Sequence, residues 1–473
     1  MTHQRTLKFT LAVAAAMAAA GMMLSGPASV RATGGTAISA ADTTVSLDST
    51  TAPMAPATPA PAPDTNPLLM YSLDKMPDWN GSTIGEDLQT AGLNIYGYVE
   101  AGYTSDLSGR PAGGVIPDRV FDTEYGNHLQ MDQLDLTVAR AINLSDPSYL
   151  KRGWAIGGKV EWLYGYDAAT ADNIHANGLN FYHSWATQGS AVTSAIQDPL
   201  YQFDLEQAYL TLAVHLGGAG DVKFKAGTFV TLLGEETINP TTNYFYSHSF
   251  AFGMGIPFTQ TGVLAEYVPN STWTFYAGIT RGWNQALRDN NSSVDFLGAV
   301  TYTPNSQWTA TVNLSTGPQN NGDNGHYRTV VEPLITYTPP ILGNNLTLVS
   351  DTTIGYDGAG NASNGQSAGW LSEALYQSYT VNNYVQLNAR EEYYYDGAGF
   401  TMDAFDYNPP PAGTTVQYGE ITLGTKITPF PNGSLSKNFY FRPELRFDMA
   451  DHGVLTNGKH YQTTFGIDAI YTF

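Results

Sequence analysis

From residue 94 to the last residue, the chain is a succession of extended runs in which apolar and polar side chains alternate; none has the 3.6-residue period of an amphipathic helix. The clearest stretch is 221–283. Val222, Phe224, Ala226 and Thr228 alternate with Lys223, Lys225, Gly227 and Phe229; Val263, Ala265 and Tyr267 alternate with Leu264 and Glu266; Trp273, Phe275, Ala277 and Ile279 alternate with Thr274, Tyr276, Gly278 and Thr280. Period-2 alternation rich in aromatic and β-branched residues is a strand signal. The first two runs are joined by the long segment 231–257, rich in Tyr, Phe, Thr and Asn, the next two only by Pro269-Asn270-Ser271. A long connection at one end and a tight turn at the other is the rhythm of a membrane-spanning β-barrel.

The rhythm continues. About sixteen strands are predicted, centred on Val99, Leu134, Val160, Tyr209, Phe224, Val263, Phe275, Gly298, Thr311, Val331, Leu348, Ala374, Leu387, Ile421, Leu445 and Ile467. Connections after odd strands are mostly long and polar (105–127, 165–199, 231–257, 284–293, 316–326, 357–369, 396–415, 450–460). Those after even strands are mostly short (217–220, 269–271, 304–307, 382–383), with longer ones at 143–153, 339–345 and 429–438. In lipid every backbone N–H and C=O must be paired, and without helices only a closed sheet achieves that. The expected fold is therefore all-β, a transmembrane antiparallel barrel over 94–473, wide enough at about sixteen strands for an aqueous lumen.

Alternation also assigns faces. Trp154, Ile156, Val160 and Trp162 oppose Lys159 and Glu161; Val385, Leu387 and Ala389 oppose Gln386, Asn388, Arg390 and Glu392; Leu445 and Phe447 oppose Arg442, Glu444, Arg446 and Asp448. A basic side chain facing lipid at mid-depth costs roughly 2–4 kcal/mol, so the charged face is the lumen. Lys159, Glu161, Lys223, Lys225, Arg390, Glu392, Arg442, Glu444, Arg446 and Asp448 are expected to line it, with Glu420 and Asp468. The fourth strand breaks the pattern, because Asp204 and Glu206 share the parity of Leu210, Leu212 and Val214; a bulge at an unassigned position would reconcile them.

Gly227-Thr228-Phe229-Val230-Thr231, Gly234-Glu235-Glu236, Asn239-Pro240, the run from Asn243 to Ser247, Pro257, Thr261-Gly262-Val263 and the run from Gly278 to Asn284 resemble the OmpL-like β-barrel porin family of Gram-negative outer membranes. The likeness extends from about residue 95 to the C-terminus, its motifs being concentrated in this one region. It implies an outer-membrane porin. In sixteen-stranded general porins the third loop folds inward and narrows the barrel. By that analogy 231–257 would carry Glu235, Glu236, Asn239, Asn243 and Tyr244 to a constriction, opposite wall arginines and lysines. Opposed acids and bases favour polar solutes over apolar ones. Alternatively, Glu235 and Glu236 are ordinary solvated loop acids.

The termini fit that address. Residues 1–32 read as a secretory signal peptide: Arg5 and Lys8, an apolar Ala-rich run, and Val30-Arg31-Ala32 before a cut. The next segment, 33–93, begins as an Ala/Thr/Pro-rich periplasmic tether; apolar residues between 67 and 91 allow one or two short helices, forming either a plug or a loose leader. The final strand alternates from Tyr461 to a terminal Phe473, resembling the signal read by the barrel-assembly machinery. Thirty Tyr suit a membrane–water interface, so outer-membrane lipids are expected neighbours. A net charge of −21 argues against nucleic acid, and the absence of Cys rules out disulfides.

No cofactor, metal site or enzymatic activity is expected. The nine His show no metal spacing; Asp289-Asn290-Asn291 and Asp357-Gly358 lack a calcium-loop pattern and read as turns; Asp396-Gly397-Ala398-Gly399 precedes no helix. Ser247-His248-Ser249 is the one nucleophile–base candidate, without a legible third partner. The sequence thus points to passive diffusion of small hydrophilic solutes or ions, with a homotrimer among the assemblies allowed. The alternatives are a blocked structural or adhesive barrel acting through its loops, and an outer-membrane hydrolase.

Overall fold

The computed structural model describes most of residues 68–473; residues 1–67, 110–117, 122–125, 169–200, 403–409 and a few isolated positions lie outside the description. The expected signal peptide, the tether up to 67 and most of the second long loop therefore fall outside the described residues.

Sixteen antiparallel strands close into one barrel. They are β1 Asn94–Asp106, β2 Leu129–Arg140, β3 Trp154–Gly165, β4 Gln202–His215, β5 Asp221–Val230, β6 Thr259–Asn270, β7 Trp273–Thr280, β8 Asp295–Asn305, β9 Trp308–Pro318, β10 Tyr327–Tyr337, β11 Leu346–Asn361, β12 Gln366–Asn382, β13 Val385–Asp396, β14 Val416–Ile427, β15 Phe439–Ala450 and β16 Tyr461–Thr472. Each predicted centre falls in its strand, in order. Every strand pairs with its sequence neighbours, and β1 closes on β16 with Tyr98 opposite Thr472 and Asp106 opposite Thr464. The terminal residue finishes the seam: the Phe473 amide donates to the Gly97 carbonyl at 2.9 Å, and its carbonyl accepts from the Gly97 amide at 3.0 Å. No unpaired edge remains, which is the condition for a sheet in lipid.

The two faces separate as the alternation predicts. Leu210, Phe224, Val263, Ile279, Val312, Leu423 and Leu445 are exposed on the outer wall; Glu161, Lys223, Arg390, Arg442 and Arg446 are buried inside. Outward rings gather at the short-turn end of β7–β10, with Trp308 on Tyr337 at 4.0 Å and Trp273 beside Tyr302 at 4.5 Å between centroids, as an interfacial girdle requires. The parity conflict in β4 is a bulge. Glu161 pairs with Gln207 but Leu163 pairs with Asp204, so two steps along β3 span three along β4. The extra residue lets Asp204, Glu206, Gln207 and Tyr209 all turn inward while Leu210 and Leu212 face out.

Two connections differ from expectation. The segment 357–369 is mostly strand: β11 runs to Asn361 and β12 starts at Gln366, with a turn at 363–365 between them and Asn361 opposite Gln366. Its Gly and Ala residues carry no strand signal, yet the hairpin ladder continues through them, and Asp357 faces Arg328 at 2.9 Å instead of sitting in a turn. The 143–153 connection holds a helix, Pro147–Arg152, capped by Asp146 and ended by Gly153 at φ 79°. Ahead of the barrel lie helices Leu68–Leu73 and Ile84–Thr90, the second with a Thr83/Glu86 capping box.

Candidate functional site

Residues 231–258 leave β5 and reach β6 through the inside of the barrel. A loop buried this way must have its amides and carbonyls paired, because each orphan loses its hydration without replacement. The wall supplies the partners as charges. Carboxylates take the amides: Glu332 of β10 accepts from Gly234 at 2.6 Å, Asp351 of β11 from Glu235 at 3.0 Å, and Glu392 of β13 from Phe250 at 2.5 Å and Ala251 at 2.8 Å. Glu444 of β15 accepts from Tyr246 at 2.9 Å and Ser247 at 3.1 Å. Guanidiniums take the carbonyls: Arg390 donates to Ser247 at 2.8 Å, Arg442 to Pro240 at 2.9 Å and Asn243 at 2.7 Å, and Arg446 to His248. Charged partners make these the stronger class of hydrogen bond.

The loop also orders itself. Asn239 caps the turn Pro240–Thr242, accepting from the Thr241 amide at 2.9 Å; Asn243 clamps Thr237 through both its amide and its carbonyl. Tyr244 packs against Tyr376 of β12 at 6.1 Å. Inward glycines make room for the loop. A Cβ on Gly102 of β1 would sit 2.1 Å from the Tyr246 hydroxyl, which donates to Asp132 at 3.0 Å; one on Gly424 of β14 would meet the Phe245 ring at 2.9 Å.

The adjacent loop acids differ. Burial pushes the Glu236 carboxyl up, but Arg390 at 2.6 Å, His248 and the Ser249 amide outweigh it and hold the group down at about 2. Glu235 has no such cation; burial, then Asp351 and Glu236, push it well above the usual carboxylate range.

Of the expected lumen residues, Arg390, Glu392, Arg442, Glu444, Arg446 and Asp448 do point inward, yet they lie beneath the loop, none more than 5% exposed. No gap separates Glu236 from the wall bases, because it touches Arg390. The same arginines also meet wall acids, Arg390 with Glu420 at 3.1 Å, Arg442 with Asp468 at 2.5 Å and Arg446 with Asp448 at 2.8 Å. On the other side, Lys159 pairs with Glu161 at 2.9 Å, Lys223 pairs with Glu266 at 3.0 Å, and Lys225 lies 4.6 Å over the Tyr209 ring. Glu332 and Asp351 are not among the expected lumen residues, yet parity marks both: Glu332 shares the inward face of β10 with Arg328, and Asp351 shares that of β11 with Asp357. Beyond the loop's return, a cavity of about 300 Å³ is lined by Met254, Phe258, Trp283, Arg328, Trp370 and Phe400 among others. Arg328 lies over the rings of Trp283 at 4.8 Å and Phe400 at 5.0 Å.

Residues 92–473 match the family described as "Putative beta-barrel porin-2, OmpL-like". No curated protein matches the chain. Among solved structures it is similar to Salmonella typhi OmpF in complex with daunomycin, at 12% identity and TM-score 0.50, over 80% of this chain and 97% of that one. It is similar also to the anion-selective porin of Comamonas acidovorans (12%, 0.48, 80% and 99%) and to Pseudomonas putida OprB (12%, 0.48, 84% and 97%). At such identity the likeness to OmpF bears on fold alone. The family match covers every strand, the barrel is closed and its outer wall is apolar: the chain belongs to the OmpL-like beta-barrel porin-2 family and is an outer-membrane porin of a Gram-negative bacterium.

Proposed function

We propose that the barrel carries small hydrophilic solutes or ions by passive diffusion, along the side of the lumen that the loop leaves open. Unequal burial supports this. The inward side chains of β13–β16 are mostly buried under the loop, whereas Lys225 of β5, Glu266 of β6 and Thr274 and Tyr276 of β7 keep partial exposure. Glu235 and Tyr244 on the loop are also partly exposed, so bases and acids on this side can act on a passing ion. Loop 231–258 sets the width. Asn239 and Asn243 hold its shape, and the buried arginines and acids hold its position.

On this reading the protein uses no catalytic residue. Ser247, His248 and Ser249 are buried and serve the docked loop: the Ser247 hydroxyl accepts from Arg390 at 3.3 Å, and the Ser249 hydroxyl donates to Glu236 at 3.1 Å. Assembly as a homotrimer, contact with outer-membrane lipids, export by a signal peptide and delivery through Phe473 to the barrel-assembly machinery belong to the same proposal. The second reading, a blocked barrel acting through its loops, draws on how much of the lumen the loop fills. Planar-bilayer recording separates the two. Unitary steps that scale with salt concentration are expected; a barrel shown to be folded by heat-modifiable migration but giving no steps would establish the blocked barrel instead.

A further inference from the structure

The cavity at the loop's return takes no part in the diffusion reading. Its walls come from the long-connection end of the barrel, which in outer-membrane barrels faces the outside. Phe258 ends the inward loop, Trp283 and Asn284 follow β7, Arg328 opens β10, Trp370 lies early in β12, and Phe400 follows β13. The aromatic walls are fixed. The Trp370 indole nitrogen donates to the Gly255 carbonyl at 3.0 Å; Trp283 meets the Trp370 ring at 88° with centroids 6.2 Å apart, and Phe400 lies 5.7 Å from it. The partly exposed Arg328 lies over two of these rings, Trp283 at 4.8 Å and Phe400 at 5.0 Å, which holds its guanidinium plane in place.

The polar groups of the lining are unequally committed. Arg328 donates through Nε to Asp357 at 2.9 Å, while its two Nη groups meet no acceptor among the described residues. Asn284, at φ 55°, accepts through Oδ1 from the Phe258 and Thr259 amides at 2.8 and 3.1 Å, and its Nδ2 is left as a donor with no acceptor among the described residues. The oxygens are the opposite case. Asn290 accepts from Asn291 at 2.8 Å, Gln319 from the Trp283 amide at 2.9 Å, and the Thr401 hydroxyl is bonded to that of Tyr394 at 2.8 Å. The nearby acids do not line the cavity: Asp357 is buried on Arg328 and the Ala359 amide, and Asp295 accepts from Gln319. Apolar walls, a fixed cation, spare donors and few spare acceptors select a solute that is apolar over most of its surface and carries oxygen lone pairs at one end.

We propose that this cavity binds a small organic carboxylate with an aromatic or aliphatic body. Its two oxygens take the Nη1–Nη2 edge of Arg328, the edge that Asp357 leaves open and whose parallel N–H groups match a carboxylate; Asn284 is a further donor, and the body packs on the aromatic walls. About 300 Å³ is the lower end of the range for small-molecule sites, which suits a single ring or a short chain. Asp357 already offsets the charge of Arg328, so a bare inorganic anion gains little here and leaves the apolar walls unused. A sugar brings hydroxyl donors that find few free acceptors. The inference names a solute class for the diffusion reading and rests on it to that extent: the site holds the solute at the outer mouth, weakly enough to release it into the pore.

Sodium benzoate is the probe, compared with benzyl alcohol, glucose and sodium acetate, each titrated calorimetrically into the purified folded protein in detergent, with the micelle alone as blank. Benzoate is expected to bind at least tenfold more tightly than any of the other three. Arg328→Lys keeps the charge but not the two-point edge and should weaken benzoate at least tenfold. Phe400→Ala removes one of the two rings that hold the guanidinium and should weaken it several-fold; it lies outside the strands and carries the test if Arg328→Lys lacks heat-modifiable migration. The proposal is overturned if benzyl alcohol, glucose or acetate binds as tightly as benzoate, or if the folded variants keep wild-type affinity. The binding assay needs no current, so the two readings fail separately: benzoate binding to a barrel that gives no unitary steps refutes diffusion and supports the site, and unitary steps without benzoate binding refute the site alone.

Discussion

Arg390 is the side chain whose loss should free the constriction loop. Its guanidinium meets Glu236 at 2.6 Å, Glu420 at 3.1 Å and the Ser247 carbonyl at 2.8 Å, all out of solvent. Arg390→Met leaves two acids without their cation and one carbonyl without a donor. Breaking a buried pair from one side costs about 3–5 kcal/mol, and an orphaned carbonyl adds about 1–3 kcal/mol. Protonation of Glu236 and entry of lumen water recover part of this, so about 3–4 kcal/mol is the working figure. That weakens docking of the loop by a factor of about 10²–10³. The closed sheet does not pass through Arg390's side chain, so the barrel should still fold. In a planar bilayer, steady wild-type steps should give way to noisier ones with larger openings. Arg390→Lys should lie between, since a lone ammonium keeps the charge but not the fork. Wild-type conductance and noise from folded Arg390→Met would refute the assignment of the loop's hold to this residue.

Three further outcomes are expected. Glu236 is held below the ordinary carboxylate value of 4.5, so its contribution to docking is fully present above that value and is lost as pH falls toward about 2. Channel noise should therefore rise across that window, and Glu236→Gln should abolish the dependence. Gly102→Val puts a side chain where the Tyr246 hydroxyl lies and breaks its bond to Asp132; altered conductance with normal heat-modifiable migration is the expected pair of results. Lys225→Glu reverses a partly exposed charge on the open side, and the reversal potential in a salt gradient should move toward cations.

The barrel was legible because its physics is local. A strand in lipid must be greasy on one side, and sixteen such runs with alternating loop lengths leave little freedom in topology. The inward direction of Arg390, Arg442 and Arg446 followed from the same rule. What those residues do was not legible. Alternation tells that a side chain faces the lumen; it does not tell whether water or another backbone meets it there. The bulge in β4 shows a similar limit: Asp204 and Glu206 announced a parity break, but the extra residue is fixed only by register with β3. Glu373 of β12 and Glu391 of β13 are the reverse case: they break the greasy-side rule outright, and their polar partners Ser350 and Gln377 appear only when β11, β12 and β13 are set side by side.

The docked loop changes how selectivity should be read from charge. The chain carries a formal net charge of −21, which alone suggests a cation channel. Most of the inward charge is spent internally, however. Glu332, Glu392 and Glu444 cap loop amides, while Arg390, Arg442 and Arg446 cap loop carbonyls and neutralise Glu420, Asp468 and Asp448. An ion on the open side meets what remains partly exposed, chiefly Lys225, Glu266 and Glu235. Lys223 tempers Glu266, and Glu235 holds its proton above the usual range. The field is therefore local and near balance, so single substitutions there should shift ion preference more than any change in the acidic external loops, whose charges are screened within about 8–10 Å at ordinary salt.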